Sequence, residues 1–214
     1  MSTSALSDNE FADLPGPVQR RWVTVSTGEH VSGVVWGSGP SEAVLLHAAG
    51  GSGRDWDGPL SGISRPTLAL DLPGHGRSSR RAAVYTPRKL VLPVAEAIKS
   101  FAPKTKAVAG TGLGALTAVA LAARHPHLVP ALILIGTLPG HPDPSDDEYL
   151  WNGLSGLAAA GTPITVVRAG LSDAAVAELR DRVPAARLLP AGRLDTAAEL
   201  ADLLLTGTTT RSTA

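Results

Sequence analysis

The chain has 214 residues, and its 19 lysine and arginine residues are balanced by 19 aspartate and glutamate residues. A net charge of zero excludes a dedicated nucleic-acid binder, because no excess of positive charge would displace counterions, and 43% hydrophobic residues exclude a largely disordered chain. Cysteine is absent, which excludes disulfides, thiolate nucleophiles and cysteine-ligated metal sites.

The first segment of the chain, residues 1–17, is polar and acidic, and it is predicted to be a flexible leader rather than a signal peptide. The apolar stretches of the sequence are all shorter than the roughly 20 residues that a membrane span requires. We therefore expect a cytoplasmic protein that binds neither membranes nor nucleic acids.

Residues 18–205 alternate between short apolar strands and helical segments, which predicts one domain. An N-terminal hairpin is predicted from two β-branched runs, 21–25 and 31–36, separated by Thr27-Gly28-Glu29. The pattern predicts further strands at 43–47, 67–71, 106–109, 131–135, 164–168 and 186–189, and helices at 87–100, 114–124, 174–183 and 196–205. Residues 206–214 are predicted to be a disordered tail.

All-apolar strands that alternate with helices are typical of an α/β fold with a mostly parallel, doubly wound sheet covered on both faces. Right-handed crossovers between parallel strands bring the carboxyl ends of the strands to one edge of the sheet. We therefore expect the functional site at that edge, in the loops that follow His47, Asp71, Ala109, Ile135 and Arg168.

Three glycine-rich segments begin where predicted strands end. They are 47–53 (His-Ala-Ala-Gly-Gly-Ser-Gly), 71–78 (Asp-Leu-Pro-Gly-His-Gly-Arg-Ser) and 109–115 (Ala-Gly-Thr-Gly-Leu-Gly-Ala). In this order and spacing they resemble the motifs of the α/β-hydrolase superfamily, and the resemblance extends over residues 21–205. It implies an α/β-hydrolase-like fold, with an N-terminal antiparallel hairpin and a short lid.

The family carries its nucleophile at the centre of a Gly-x-nucleophile-x-Gly turn between a strand and a helix. The matching turn here, 110–114, reads Gly-Thr-Gly-Leu-Gly, so the resemblance places Gly112 at the nucleophile position. Because glycine has no side chain, a covalent acyl-enzyme is not expected there. The neighbouring Thr111 carries a hydroxyl and is the alternative nucleophile, although the turn usually directs this side chain elsewhere.

The histidine and acid positions of the family also have counterparts. The family histidine follows the last strand, and the matching stretch 190–195 has Arg193 there, which cannot accept a proton at neutral pH. Asp173, in Gly-Leu-Ser-Asp at 170–173, matches the acid position and would pair with Arg193. Two simpler interpretations stay open: Arg193 is a surface residue, and Asp173 caps the helix that follows it.

The resemblance further implies an oxyanion hole made of backbone N–H groups. The amide of Leu113 would act together with that of Ala48 or Ala49, and these residues with Gly112 would bind the substrate. His47 would orient the loop and is predicted to be structural, although an ordinary histidine pKa near 6.5 leaves a role in catalysis open.

No cofactor or metal site is predicted. The run from Gly110 to Ala115 also fits a dinucleotide fingerprint, but no carboxylate ends the next strand, and the run does not lie in the first βα unit. The remaining histidines are expected to serve the fold or to lie on the solvated surface, without metal-ligand spacing; they include His75, His125, His127 and His141.

Residues 137–163, where the family inserts its lid, are predicted to form a short lid segment with a weak helix near 151–157. Trp151, Leu154 and Leu157 would then offer an apolar face for a homodimer. The alternative is that these three side chains pack on the core of their own chain.

Two functions are expected from these features. The first is an enzyme without a covalent nucleophile that acts on a small carbonyl-containing metabolite, of the kind made in bacterial specialised metabolism. It would work by oxyanion stabilisation and positioning in a cyclisation, elimination, isomerisation or water addition, with Arg193 holding an anionic group. The alternative is a catalytically silent relative that binds a ligand or a partner protein through the old cleft.

Overall fold

The computed structural model describes residues 10–63, 65–81, 84–140, 144–190 and 203–204. Several of the segments and residues discussed above lie wholly or mostly outside this set: the leader 1–17, the last helix 196–205, the tail 206–214, His141 and Arg193.

In the described part of the chain, eight strands form a single sheet. They are β1 (Val18–Thr24), β2 (His30–Trp36), β3 (Ala43–Leu46), β4 (Thr67–Asp71), β5 (Ala107–Thr111), β6 (Leu132–Ile135), β7 (Ile164–Val167) and β8 (Arg187–Leu189). Their order is β1-β2-β4-β3-β5-β6-β7-β8. The β1–β2 and β2–β4 pairs are antiparallel and the others are parallel, so the predicted hairpin and mostly parallel sheet are confirmed.

The helices are α1 (Asp57–Leu60), α2 (Pro87–Phe101), α3 (Leu113–Arg124), α4 (Pro144–Ala159) and α5 (Asp173–Arg182), with 3₁₀ segments at Gly53–Trp56 and Pro126–Leu128. Helices α2, α3 and α5 lie close to their predicted places, whereas α1 was not predicted and α4 is longer than the weak helix predicted near 151–157. The start of α2 follows directly from its sequence, because the Thr86 hydroxyl accepts a hydrogen bond from the Lys89 amide and Pro87 occupies the first turn. No helix in the described ranges is both long enough and apolar enough to cross a bilayer.

The sheet separates two apolar cores, which explains why its central strands have no polar face. Successive residues of β3 point into different cores: Val44 and Leu46 into the core that contains side chains of α2 to α5, Ala43 and Leu45 into the other. The second core also contains apolar side chains of the segments that flank the sheet, namely Phe11, Leu14, Trp56, Leu60, Leu203 and Leu204. Both faces of the sheet are therefore covered.

The connection between β6 and β7, where the short lid segment 137–163 is predicted, contains the crossover helix α4. Helix α4 is 16 residues long and packs on α3, where a Cβ added at Gly153 would lie 3.3 Å from the Ala123 Cβ. Trp151, Leu154 and Leu157 are only 1%, 0% and 5% exposed, because they pack into the larger core. The expectation that they form an apolar surface for a second copy is therefore wrong, and packing on their own core is the correct alternative.

Candidate functional site

The strand order reverses between β3 and β5, which are neighbours in the sheet. The chain places β4 on one side of β3 and later places β5 on the other side. The loops after β3 and β5 therefore lead away in opposite directions and leave a crevice, which is where open α/β sheets bind ligands. Loop 47–53 and turn 110–114 meet at this crevice.

Gly112 holds the turn between β5 and α3 in a conformation that a side chain disfavours. Its φ of 52° and ψ of −126° lie in a region that L-residues rarely adopt. Two residues on, Gly114 donates its N–H to the His47 carbonyl at 3.0 Å, and a Cβ at Gly114 would lie 2.6 Å from that same oxygen. Glycine at 114 is therefore required for α3 to start directly against loop 47–53.

The space next to Gly112 is bordered by loop 47–53. A Cβ added at Gly112 would lie 2.8 Å from the Ala48 Cβ and 3.9 Å from the Ala49 nitrogen. Leu113 is the first residue of α3, so its N–H has no acceptor within the helix. The structure thus brings together Gly112, Leu113, Ala48 and Ala49, the residues expected to form the oxyanion hole.

Both ring nitrogens of His47 take part in hydrogen bonds. Its Nε2 accepts the Leu72 N–H at 2.9 Å, which leaves the proton on Nδ1 to be donated to the Ala48 carbonyl at 2.7 Å. Burial lowers the pKa of His47, so the neutral ring is favoured. The Ala48 carbonyl also accepts the Gly51 N–H at 3.1 Å, and in a trans peptide this directs the Ala49 N–H away from His47.

Thr137 supports the turn at Gly112, a role that the sequence analysis missed. Its Oγ1 accepts the Gly112 N–H at 2.8 Å and donates to the Ile135 carbonyl at 3.1 Å. A polar residue directly after β6 was the available signal. By contrast, the hydroxyl of Thr111 forms no hydrogen bond within the described residues, so no base there activates it as a nucleophile.

His75 lies beside His47 and has one nitrogen available. Its Nδ1 lies 3.1 Å from the Pro73 carbonyl, which can only accept, so Nδ1 carries the proton. The ring centroid is 5.2 Å from that of His47 and 6.1 Å from that of Tyr85. Nε2 of the half-buried ring has no partner within the described residues. Sequence reasoning placed this residue in a purely structural turn.

Asp173 lies in a different part of the chain, directly after the loop that follows β7. It is the first residue of α5, its side chain is 94% exposed, and its carboxylate pairs with Arg168. The helix cap is Ser172, whose hydroxyl accepts the Ala175 N–H at 3.2 Å, so the interpretation of Asp173 as the cap is wrong by one residue. Arg193 lies outside the described residues, so the pairing of Asp173 with it stays a prediction.

The strand order, the strained turn before α3 and the amides around it define an α/β-hydrolase type of protein. The family model for the alpha/beta hydrolase fold matches residues 44–165, more than half of the chain. The chain belongs to this family.

Two curated relatives are similar over about half of this chain. Esterase Rv0045c of Mycobacterium tuberculosis is 37% identical over 110 residues, which cover 51% of this chain and 37% of that protein. Pimeloyl-[acyl-carrier protein] methyl ester esterase of Proteus mirabilis is 37% identical over 106 residues, which cover 48% of this chain and 39% of that protein. The matches thus span well under half the length of either relative.

A solved structure of the M. tuberculosis esterase Rv0045c matches the whole fold. The TM-score is 0.71 with 23% sequence identity, over 92% of this chain and 94% of that one. At this identity the match shows a shared fold and nothing further.

These relatives overturn the functional expectation of the sequence analysis. Both curated relatives are named as esterases, which points to hydrolysis and not to a cyclisation, elimination or isomerisation without a nucleophile. The expectation of a non-hydrolytic enzyme is therefore wrong. It depended on two residues, Gly112 at the nucleophile position and Arg193 at the histidine position.

Proposed function

We propose that the protein hydrolyses a carboxylic ester in the crevice beside Gly112. One observation carries the proposal: two backbone amides lie beside the same point. The Ala49 nitrogen is 3.9 Å from the position that a Cβ on residue 112 would take. The next residue, Leu113, begins α3, and its N–H has no acceptor within the helix. An ester carbonyl oxygen could accept hydrogen bonds from the N–H groups of Ala49 and Leu113. These bonds would stabilise the negative charge that develops on the oxygen, which is usually the largest single contribution to acyl-transfer catalysis.

The relatives support this reaction class. Two proteins from different bacteria, each 37% identical to about half of this chain, are named as esterases. The hydrogen bonds that orient the amides run through His47, Gly51 and Gly114, and they do not depend on the identity of residue 112.

Hydrolysis also needs a proton acceptor, and we assign this role to Nε2 of His75. Gly112 has no side chain, so the attacking oxygen is that of a water molecule. As the water oxygen bonds to the carbonyl carbon, one of its protons passes to Nε2 of His75. As the bond between the carbonyl carbon and the alcohol oxygen breaks, that proton passes to the leaving alcohol, and the carboxylic acid is released.

The first experiment measures release of p-nitrophenol from esters of increasing acyl length by the purified protein. Gly112→Ala is expected to abolish hydrolysis, because its Cβ would lie 2.8 Å from the Ala48 Cβ. Gly161→Ala is the matched control: Gly161 also has a positive φ, 79°, but a Cβ there meets nothing within 4 Å. Absence of hydrolysis in the unaltered protein, or equal activity in both variants, would refute the proposal.

The second experiment replaces the proposed proton acceptor. His75→Gln is expected to lower kcat by roughly 100-fold or more, since general-base contributions have that size. His127→Gln, in the 3₁₀ segment Pro126–Leu128, is the control and should leave kcat unchanged. An unchanged kcat in His75→Gln would remove His75 from the mechanism while leaving ester hydrolysis to be judged by the first experiment.

A further inference from the structure

A single buried carboxylate joins the two loops of the site. Asp71 ends β4, and its side chain is 1% exposed. Its Oδ1 accepts the Gly53 N–H at 2.7 Å, at the end of loop 47–53. Its Oδ2 accepts the Arg77 N–H at 3.0 Å, in turn 72–78. The loop that carries Ala49 and the turn that carries His75 therefore share one anchor.

The counter-ion of this carboxylate comes from a strand two positions away in the sheet. Arg20 of β1 reaches past β2. Its Nη1 donates to the Oγ of Ser32 in β2 at 2.8 Å and to the Oδ2 of Asp71 in β4 at 2.8 Å. The Arg20 side chain is 5% exposed, and Glu10 accepts from its Nη2 at 2.6 Å. Each of these charges is therefore paired, as buried charges must be.

The neighbouring hydroxyl reinforces the same arrangement. Ser78 Oγ donates to the Asp71 carbonyl at 2.6 Å and accepts the Ser32 N–H at 2.9 Å. The carboxyl end of turn 72–78 is thus attached twice to Asp71, to its side chain through the Arg77 N–H and to its main chain through the Ser78 hydroxyl. Replacing a buried ion pair by apolar groups is often neutral for stability, so stability alone is a weak reason for an arginine and an aspartate here.

We propose that Arg20 and Asp71 are positioning residues of the site, which hold loop 47–53 and turn 72–78 in register so that the Ala49 amide and His75 act on one substrate. The catalytic part of this inference rests on the proposed ester hydrolysis; the positioning of the two loops does not. Neither residue contacts the substrate, and both act through the backbone N–H groups of Gly53 and Arg77.

The test compares amide hydrogen exchange in the full-length protein and its variants. In Asp71→Asn one carboxylate oxygen becomes an NH₂ donor, so at least one of the two backbone amides loses its acceptor. Exchange is expected to rise at least tenfold in segment 47–56 or 72–79, with helix 144–159 unchanged. Glu42→Gln is the matched control, because Glu42 pairs with Arg65 and Lys106 near the amino ends of the strands.

Arg20→Lys keeps the charge but offers fewer donors, and it should raise exchange in the same segments by a smaller factor than Arg20→Met. If Arg20→Met does not fold, Arg20→Lys and Asp71→Asn carry the test. A uniform rise that includes helix 144–159 would mean a role in global stability only, and no rise in either segment would equally overturn the proposal.

Ester hydrolysis separates this inference from the proposed function. For Asp71→Asn, kcat should fall at least tenfold with KM changed much less, because the groups that act in the transition state are displaced. Loop-specific exchange together with an inactive unaltered protein would refute ester hydrolysis and retain the positioning role. Loop-specific exchange with an unchanged kcat would refute the coupling of this pair to catalysis.

Discussion

The loops after β3, β4 and β5 and the loop after β7 lie at the same edge of the sheet, but they are held in different ways. The first three are tied together by buried groups, including His47, Asp71 and the Gly114 amide. The loop after β7 presents Asp173, 94% exposed and paired with Arg168. The region that would bind a carbonyl is thus built from backbone and buried polar groups, whereas the position expected to carry the acid is a surface feature.

This difference shows which part of a hydrolase site depends on the fold itself. Amides at a helix start and in a tight loop are aimed by the chain path, so their orientation needs no catalytic side chain at residue 112. A catalytic side chain depends on its own identity and can be replaced without disturbing the sheet. Four substitutions test this difference between the two regions.

The largest effect on folding is expected at the contact between loop 47–53 and α3. Gly114→Ala places a Cβ 2.6 Å from the His47 carbonyl oxygen, so the free energy of unfolding should fall by about 3 kcal/mol, the upper range for overpacking. Urea denaturation measures it. Gly156→Ala on α4, where a Cβ meets nothing within 4 Å, should lose nothing. Equal stability of the two variants would show that the contact is not tight.

The next largest effect concerns His47 and pH. His47→Phe leaves the Leu72 N–H and the Ala48 carbonyl without their partner, at a cost of about 2 kcal/mol. Because burial lowers the pKa of His47, the unfolded chain binds a proton below pH about 6.5 that the folded chain does not. Stability of the unaltered protein should therefore decrease as pH falls below that value.

Urea denaturation at pH 8 and pH 5 measures this dependence. The decrease between the two values should be smaller in His47→Phe, because the variant lacks the titrating ring. An equal decrease in both proteins would show that His47 is not its source.

A smaller effect is expected at the support of the turn. Thr137→Val keeps the shape but removes the acceptor of the Gly112 N–H, so unfolding should become easier by about 1 kcal/mol. If the turn contributes to catalysis, kcat for ester hydrolysis should fall while KM changes little. Thr162→Val, between α4 and β7, provides a comparison away from the crevice. Identical kinetics in the two variants would contradict a role for Thr137.

The smallest effect is expected at the exposed region after β7. Asp173→Asn removes a solvent-exposed ion pair with Arg168, and such pairs contribute little to stability. Both the urea midpoint and the rate of ester hydrolysis should stay unchanged. A large loss of activity would show that Asp173 acts in the site. It would refute the conclusion that the loop after β7 is only a surface feature.

Much of the fold could be predicted because its signals are local. The strands β3 and β6 are apolar throughout, since both sheet faces are covered, and their places were evident from short apolar runs. Helix α4 was underestimated, because the polar and acidic residues 141–148 hide its first turns and its apolar side chains suggested a surface. A helical pattern of apolar residues predicts an apolar face, but it does not predict whether that face packs on the core of the same chain or on a second protein.

The site was predicted in part. Gly112, Leu113, Ala48 and Ala49 come together as expected, because glycine-rich turns after parallel strands meet at one edge. The partner of Asp71 was not foreseeable, since Arg20 lies 51 residues away in the sequence and reaches it across β2. Sequence reasoning also missed that Nε2 of His75 has no partner among the described residues. This depends on the orientation of the ring, whose Nδ1 lies against the Pro73 carbonyl.

The amino-acid sequence by itself determined the class of fold, the edge of the sheet where the candidate site lies and the glycine turn at residue 112. These depend on apolar spacing and on backbone conformations that single residues permit or forbid. Only the tertiary structure decided that His47 is neutral and fully hydrogen-bonded, that Asp71 anchors two loops and that Asp173 faces solvent. These facts depend on strand order and register, which bring together donors and acceptors that are distant along the chain.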